Sequence, residues 1–336
     1  MAKDLKKTPT IKDVATHAGV SIGTVSRVLS KEPAVKAHLK EKVDAAVAAL
    51  GYRPNFAARA LRKNHIDVVG FVLPDITNPF FSQLAKSIES EASARNHTVM
   101  LACSYNDPAI EQTHIRALLD RSVRGIVVIA ASDEAENSLE IDVPVISLDR
   151  QYAKYPLIST NHIQGAALVA DHLVELGHRR FAYIAGPLNT EVGRARQVGF
   201  VQHLRQLTDD TDPADLIIRP GQFDYESGEK ITLELLDVPE KARPTAIVAA
   251  SDQQAIGALR AARDLGLNVP NDLSVTGFDD IVLAELVAPR LTTVRQPTSE
   301  LAKRAIEAIF AKTAPDENIT IDGKLIRRTS TGPAPN

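Results

Sequence analysis

The chain has 336 residues, 44% of them hydrophobic, and a formal net charge of −3. That length exceeds one small domain and is ample for a buried core. The single cysteine, Cys103, excludes an internal disulfide and a Cys-rich metal site and reads as a small buried hydrophobe, while no stretch approaches the roughly 18 uninterrupted apolar residues of a membrane span.

The charged start, MAKDLKKTPT, has no apolar h-region, so a soluble cytoplasmic protein is expected. Charge is unevenly spread: residues 1–63 carry 13 Lys/Arg against 5 Asp/Glu, whereas the remainder carries 26 against 37. Such asymmetry points to a nucleic-acid module joined to an acidic body. With 4% aromatics and no Trp, the cores must be built of Ala, Val, Ile and Leu.

In chain order, Thr10 can cap a helix from Ile11 that places Val14, Ala15 and Ala18 on one face and stops at Gly19. Ser21 can cap a second helix with Val25, Val28 and Leu29 inward. Two short helices about three residues apart match the helix-turn-helix unit. A third helix carries Leu39, Val43, Ala46, Val47 and Leu50 and can end at Gly51. The segment Tyr52-Arg53-Pro54-Asn55 stops helices. Asn55 can cap a fourth, very short helix from Phe56 to Leu61, marginal alone because nucleation is costly; it is expected to order only on DNA and in a dimer.

From Ile66 short Val/Ile runs alternate with helical stretches. The strand candidates are 68–73, 98–102, 125–129, 145–148, 181–185, 246–250 and 274–278, with helices such as 81–95, 110–121, 165–176, 227–236 and 253–264 between them. Continuous apolar strands alternating with helices mean α/β architecture with parallel sheet, and the run is long enough for two lobes.

Ile11-Lys12-Asp13-Val14-Ala15, Ala18-Gly19-Val20-Ser21 and Thr24-Val25-Ser26-Arg27-Val28-Leu29 resemble the LacI/GalR family of repressors, as does the stretch from Tyr52-Arg53-Pro54-Asn55 to Ala60-Leu61. The resemblance continues to the C-terminus. It implies a helix-turn-helix domain at 1–51, a hinge at 52–63 and an effector domain at 64–336. One lobe is expected at about 64–161 and 296–321, the other at about 162–295 and 322–336, as in periplasmic binding proteins. A recognition helix presents its first residues to the major groove; here these are Ile22, Gly23 and Arg27. Arg27 can grip guanine in a bidentate way and Ile22 can touch a thymine methyl, while Gly23 reads nothing directly. Thr10, Ser21, Thr24 and Ser26 suit phosphate contacts as well as helix caps. By resemblance, Leu61 is the apolar wedge that enters the minor groove, behind Asn55. The expected partners are a near-palindromic operator and a second copy of the chain. No Leu heptad follows Arg328, which favours a dimer over a tetramer.

Within the body, Asn78-Pro79-Phe80-Phe81, the run Pro144–Gln151, Arg194-Ala195-Arg196, Phe223-Asp224, Gly277-Phe278-Asp279 and Gln296 are similar to ribose-binding proteins. Asp149, Arg150, Arg196 and Asp279 would bind sugar hydroxyls through charged planar groups, Asn78 and Gln296 through paired amide contacts, and Phe80, Phe81 and Phe223 through the ring faces. Ser251-Asp252 stands where ribose binders have Asn-Asp, so ribose, another pentose, a ribonucleoside, a different sugar or a purine co-repressor all stay open as effector. No phosphate loop, His-Glu-x-x-His or Gly-x-Ser-x-Gly is present, which disfavours an enzyme, and the basic head disfavours a transport binding protein. His172 and His178 lack a third ligand and read as structural. Neither cofactor nor metal is expected. Effector binding is expected to close the lobes and release the operator.

Overall fold

A computed structural model describes residues 9–29, 35–52, 67–133, 139–208, 215–311 and 317–335. The chain divides into two compact units, Met1–Ile66 and Asp67–Asn336.

The first unit holds α1 (Ile11–Ala18), α2 (Ile22–Leu29) and α3 (Ala37–Leu50). Thr10 and Asp13 form a reciprocal capping box at the start of α1, and Gly19, left-handed at φ 65°, closes it. Ser21 Oγ accepts from Thr24 N (3.1 Å) at the start of α2. Val14, Ala15, Ala18, Val25, Val28, Val43 and Ala46 make one small core. The short helix expected at 56–61, with Asn55 and Leu61, lies outside the described residues.

The second unit runs β1 (Val68–Leu73), α4 (Pro79–Ser93), β2 (Thr98–Cys103), α5 (Pro108–Leu119), β3 (Ile126–Val128), β4 (Val145–Leu148), β5 (Leu157–Thr160), α6 (His162–Glu175), β6 (Arg180–Ala185), α7 (Glu191–Leu207), β7 (Asp215–Pro220) and α8 (Tyr225–Leu236). It continues with β8 (Ala246–Ala249), α9 (Asp252–Asp264), β9 (Ser274–Asp279), α10 (Val282–Leu286), β10 (Thr292–Arg295), α11 (Thr298–Phe310), β11 (Ile319–Ile321) and β12 (Lys324–Ile326). These strands form two six-stranded sheets, β11-β5-β4-β3-β1-β2 and β12-β10-β9-β8-β6-β7. Among the described residues, only the β10–β12 pairing is antiparallel. The chain passes between sheets after Thr160, after Arg295 and after Ile321. The expected α/β class with parallel sheets is the one observed.

Continuous apolar strands arise because each sheet is covered on both faces. In β1, Val69, Phe71 and Leu73 pack with α4 and α11, while Val72 packs with α5. In β6, Ala182 and Ile184 face α8 and α9, while Phe181 and Tyr183 face α6 and α7. Five strands escape the sequence pattern: β5, β7, β10, β11 and β12. All but β7 have four residues or fewer, and β10 is half threonine, so none shows a long apolar run. Cys103 is half-buried at the end of β2 rather than fully enclosed.

Candidate functional site

In the first unit, Ser21 just before α2 and Ile22, Gly23 and Arg27 on it are exposed, with Ile22 at 40% exposure, while Thr24 and Ser26 are half-buried. Arg27 Nε donates to Gly23 O of its own helix (3.4 Å), and the residue is exposed. Ser21 Oγ lies 2.9 Å from Thr24 Oγ1, and Thr10 Oγ1 donates to Asp13 Oδ2 (2.8 Å). The hydroxyls of Thr10, Ser21 and Thr24, expected at phosphates, therefore also build the helix starts.

In the second unit, parallel strands deliver their C-terminal ends to one side, where open α/β sheets bind ligands. A cleft of about 350 Å³ opens there between the two sheets. Asn78, Phe81 and Arg150 line it from the first lobe, and Phe223 from the second. Asn78 also caps α4, its side chain accepting from Phe80 N. Arg150 is buried, donates to Asn106 Oδ1 (3.3 Å) and stacks over Phe81 (5.5 Å). Its Nε is buried and has no hydrogen-bond partner among the described residues. An uncompensated buried guanidinium nitrogen beside a cleft is a group held ready for a ligand acceptor.

Behind the cleft lies a buried polar network. Arg196, on α7, lies 3.1 Å from Asp279 Oδ1 and donates to Ala250 O (2.6 Å) and His162 Nδ1 (3.3 Å). Its guanidinium sits 4.0 Å from the Phe278 ring centroid and 5.4 Å from that of Phe223, which ties the network to the cleft wall. Gln296 Nε2 donates to Asp279 Oδ1 (2.7 Å), and Gln296 Oε1 accepts from Thr160 (2.7 Å). Asp149 Oδ1 and His162 Nε2 stand 3.5 Å apart, long for a hydrogen bond, and both atoms are buried with no closer partner among the described residues.

Charge in this network follows position. Burial pushes Asp149 up, but His162, Arg196 and Arg150 more than offset it, so this carboxyl is held below the ordinary range. Burial, reinforced by the two guanidiniums, lowers His162 against the opposing pull of Asp149. Burial raises Asp279 to about 6 despite Arg196 and Gln296. Asp252, buried and facing Asp279, is pushed well above the usual range. Asp149 and Asp279 also hold positive φ, 62° and 124°. Strained backbone of this kind concentrates at functional sites.

Residues 10–55 match the lacI family of bacterial regulatory proteins, and residues 170–331 match the periplasmic binding protein-like domain. The ribose operon repressor of Halalkalibacterium halodurans is 33% identical over 329 residues, spanning 96% of this chain and 97% of that protein. The chain belongs to the lacI family of bacterial regulatory proteins. A second lacI-family relative, the HTH-type transcriptional repressor PurR of Photorhabdus laumondii, is 33% identical and spans 96% of each chain. The structure of the Lac repressor dimer bound to operator and the anti-inducer ONPF matches with a TM-score of 0.85 at 30% identity, over 97% of this chain and 100% of that one. This lacI-family chain is a DNA-binding transcriptional regulator. No helix among its described residues is long and apolar enough to cross a membrane.

Within this lacI-family fold the residues expected at the effector divide into three groups. Asn78, Phe81, Arg150 and Phe223 line the cleft; Asp149, Arg196, Asp279 and Gln296 form the network behind it. Phe80 and Ser251 do neither. Phe80 turns into the core, because successive residues of a helix leave it in different directions, and Ser251 Oγ caps α9 by accepting from Gln254 N. Asp279 is the last residue of β9. His162, Asn106, Asn189, Gln222 and Gln253 were not singled out from the sequence. Asn106 follows β2, so the strand-end rule applied there would have found it. His162 likewise follows a strand, but β5 shows no apolar run in the sequence, so the rule had no strand end to start from there. His172 and His178 are structural: His172 Nε2 meets Thr331 Oγ1 (2.9 Å) and His178 Nδ1 meets Thr245 Oγ1 (2.9 Å).

Proposed function

We propose that this chain is a repressor that grips a near-palindromic operator as a homodimer and releases it when a small sugar occupies the interlobe cleft. The effector class is ribose or a related pentose or ribonucleoside. Residues 1–51 read DNA, 52–63 form the hinge and 64–336 sense the effector; the protein catalyses nothing and works in the cytoplasm, where its operator is. Ile22, Gly23 and Arg27 face bases, Thr10, Ser21, Thr24 and Ser26 face phosphates, and Asn55 and Leu61 belong to the hinge contact with the minor groove.

The observation that carries this reading is the cleft: flat faces from Phe81 and Phe223, planar hydrogen-bonding groups from Asn78, Asn106 and Arg150, and walls drawn from both lobes. Sugar hydroxyls both donate and accept, and their ring faces are apolar, so this mixture suits them. A ligand touching both lobes favours the closed arrangement only by its differential affinity for it. Groups already crossing the gap, Arg194 to Asp133 (2.6 Å) and Val282 N to Gln83 Oε1 (2.9 Å), are those such closure would reinforce or rearrange.

Calorimetric titration with ribose, other pentoses, ribonucleosides, hexoses and free purines tests the ligand class. Heat with pentose-containing ligands is expected. Silence with all of these and tight binding of a hexose or a free purine would overturn it. A free purine acting as co-repressor is the competing reading. Leu61→Ala is expected to weaken binding to a palindromic duplex while sparing sugar affinity; equal loss of both would remove the wedge role.

A further inference from the structure

We propose that Arg194 and Asp133 are positioning residues for the effector: as an ion pair across the mouth of the interlobe cleft they latch the two lobes together, and so set how tightly a ligand is held without touching it. The inference rests on reading that cleft as the effector site.

Arg194 belongs to α7 of the second lobe, and Asp133 to the segment after β3 of the first. Arg194 Nη2 donates to Asp133 Oδ2 (2.6 Å). Neither residue lines the cleft, yet both stand beside its walls. Asp133 comes two residues after Ala131. Arg194 follows the wall formed by Pro187, Asn189 and Thr190, and its Nη1 donates back to Leu188 O (2.7 Å) within that turn. Nη2 also donates to Glu191 Oε2 (2.8 Å), one turn earlier on α7. The guanidinium is therefore braced on the second lobe where it reaches the first. In sequence Arg194 stands out only as the neighbour of Arg196; the fold gives the two opposite placements, Arg196 buried in the network and Arg194 with 42% of its side chain exposed.

Most exposed ion pairs add little, because long side chains must be ordered to form them. Here three acceptors fix the guanidinium, and the carboxylate is short and 19% exposed, so the ordering cost is reduced. A contact made only while the lobes are together adds to the ligand's differential affinity for that arrangement. The other crossing contact, Val282 N to Gln83 Oε1, is uncharged and answers to salt far less. Asp133 also attracts Arg150 of the cleft wall electrostatically. Removing Arg194 leaves that attraction intact and removes only the latch.

The test is calorimetry on the full-length protein with ribose, an uncharged probe, for wild type, Asp133→Asn, Arg194→Gln, the double variant and the charge swap Asp133→Arg/Arg194→Asp. Each single variant is expected to weaken ribose about three- to fivefold, the double variant no further, and the swap to recover wild-type affinity within about twofold. Raising NaCl from about 0.05 to about 0.5 M is expected to weaken ribose about two- to threefold in wild type and to leave both single variants unchanged. Losses that add in the double variant, an Arg194→Gln protein that binds as wild type does, or one salt response shared by all proteins would overturn the latch. Absence of ribose binding by wild type would instead overturn the pentose reading. The latch is then decided without ligand, by electron–electron resonance distances between spin labels at the exposed positions Lys154→Cys and Arg205→Cys, one on each lobe, in a Cys103→Ser background and in dimers diluted with unlabelled chain. Longer, broader distances in Asp133→Asn and Arg194→Gln than in wild type are expected, and identical distributions would overturn it.

Discussion

Arg27, proposed above to read bases, illustrates how little such a residue owes to the fold. It is exposed, and its Nε contact goes to its own helix. Arg27→Ala is therefore expected to leave the melting temperature unchanged while costing about 1–3 kcal/mol of operator binding and narrowing the gap between cognate and scrambled duplexes. Fluorescence anisotropy on both duplexes checks it, and uniform weakening on both would reassign Arg27 to phosphate contact. Arg196 is the opposite case: it is buried and holds Asp279, Ala250 O, His162 and two rings together. Such residue types, at strand ends, are visible in sequence; their division between cleft wall and supporting network is not.

At the scale of elements, α8 and α9 pack unusually close. A Cβ on Gly228 would lie 2.1 Å from Gln254 O, and one on Gly257 2.1 Å from Tyr225 O. Backbone cannot step aside as a flexible side chain does. Gly257→Ala should gain about 1 kcal/mol of helix propensity, yet overpacking costs about 1–3 kcal/mol or more, so net destabilisation is expected. Urea unfolding measures it; an unchanged or raised midpoint would show that the helices can separate freely. Sequence placed these two helices well, because their apolar spacing is local. It offered no sign that the glycines mark a contact.

For the whole molecule, Glu111 links the core to the cleft. It is fully buried on α5, and its Oε2 accepts from the backbone N–H of Ala131 (2.7 Å), a residue on the cleft wall. Burial raises it from 4.5 to about 7, against the backbone hydrogen bond and Arg150. The folded chain thus binds this proton more tightly than the unfolded chain. Its contribution to stability is complete below about pH 4.5 and is lost as pH rises through 7. Asp279, raised to about 6, acts in the same sense, whereas Asp149, lowered, acts oppositely. Unfolding free energy is expected to fall by about 1–3 kcal/mol between pH 5 and 8 on account of Glu111, and Glu111→Gln to flatten that slope. Identical pH profiles for the two proteins would refute the assignment.

The sequence by itself determined the helix-turn-helix, the alternation of buried strands and helices, and the polar residues at strand ends. Each of these is written in spacing and charge over a few residues. Tertiary structure alone decided that Thr160 meets Gln296 across 136 positions, that β11 and β12 join different sheets, and that His162 stands between Asp149 and Arg196. Those pairings depend on three passages of the chain between two sheets, and a short strand or a lone histidine carries no periodicity that announces its distant partner.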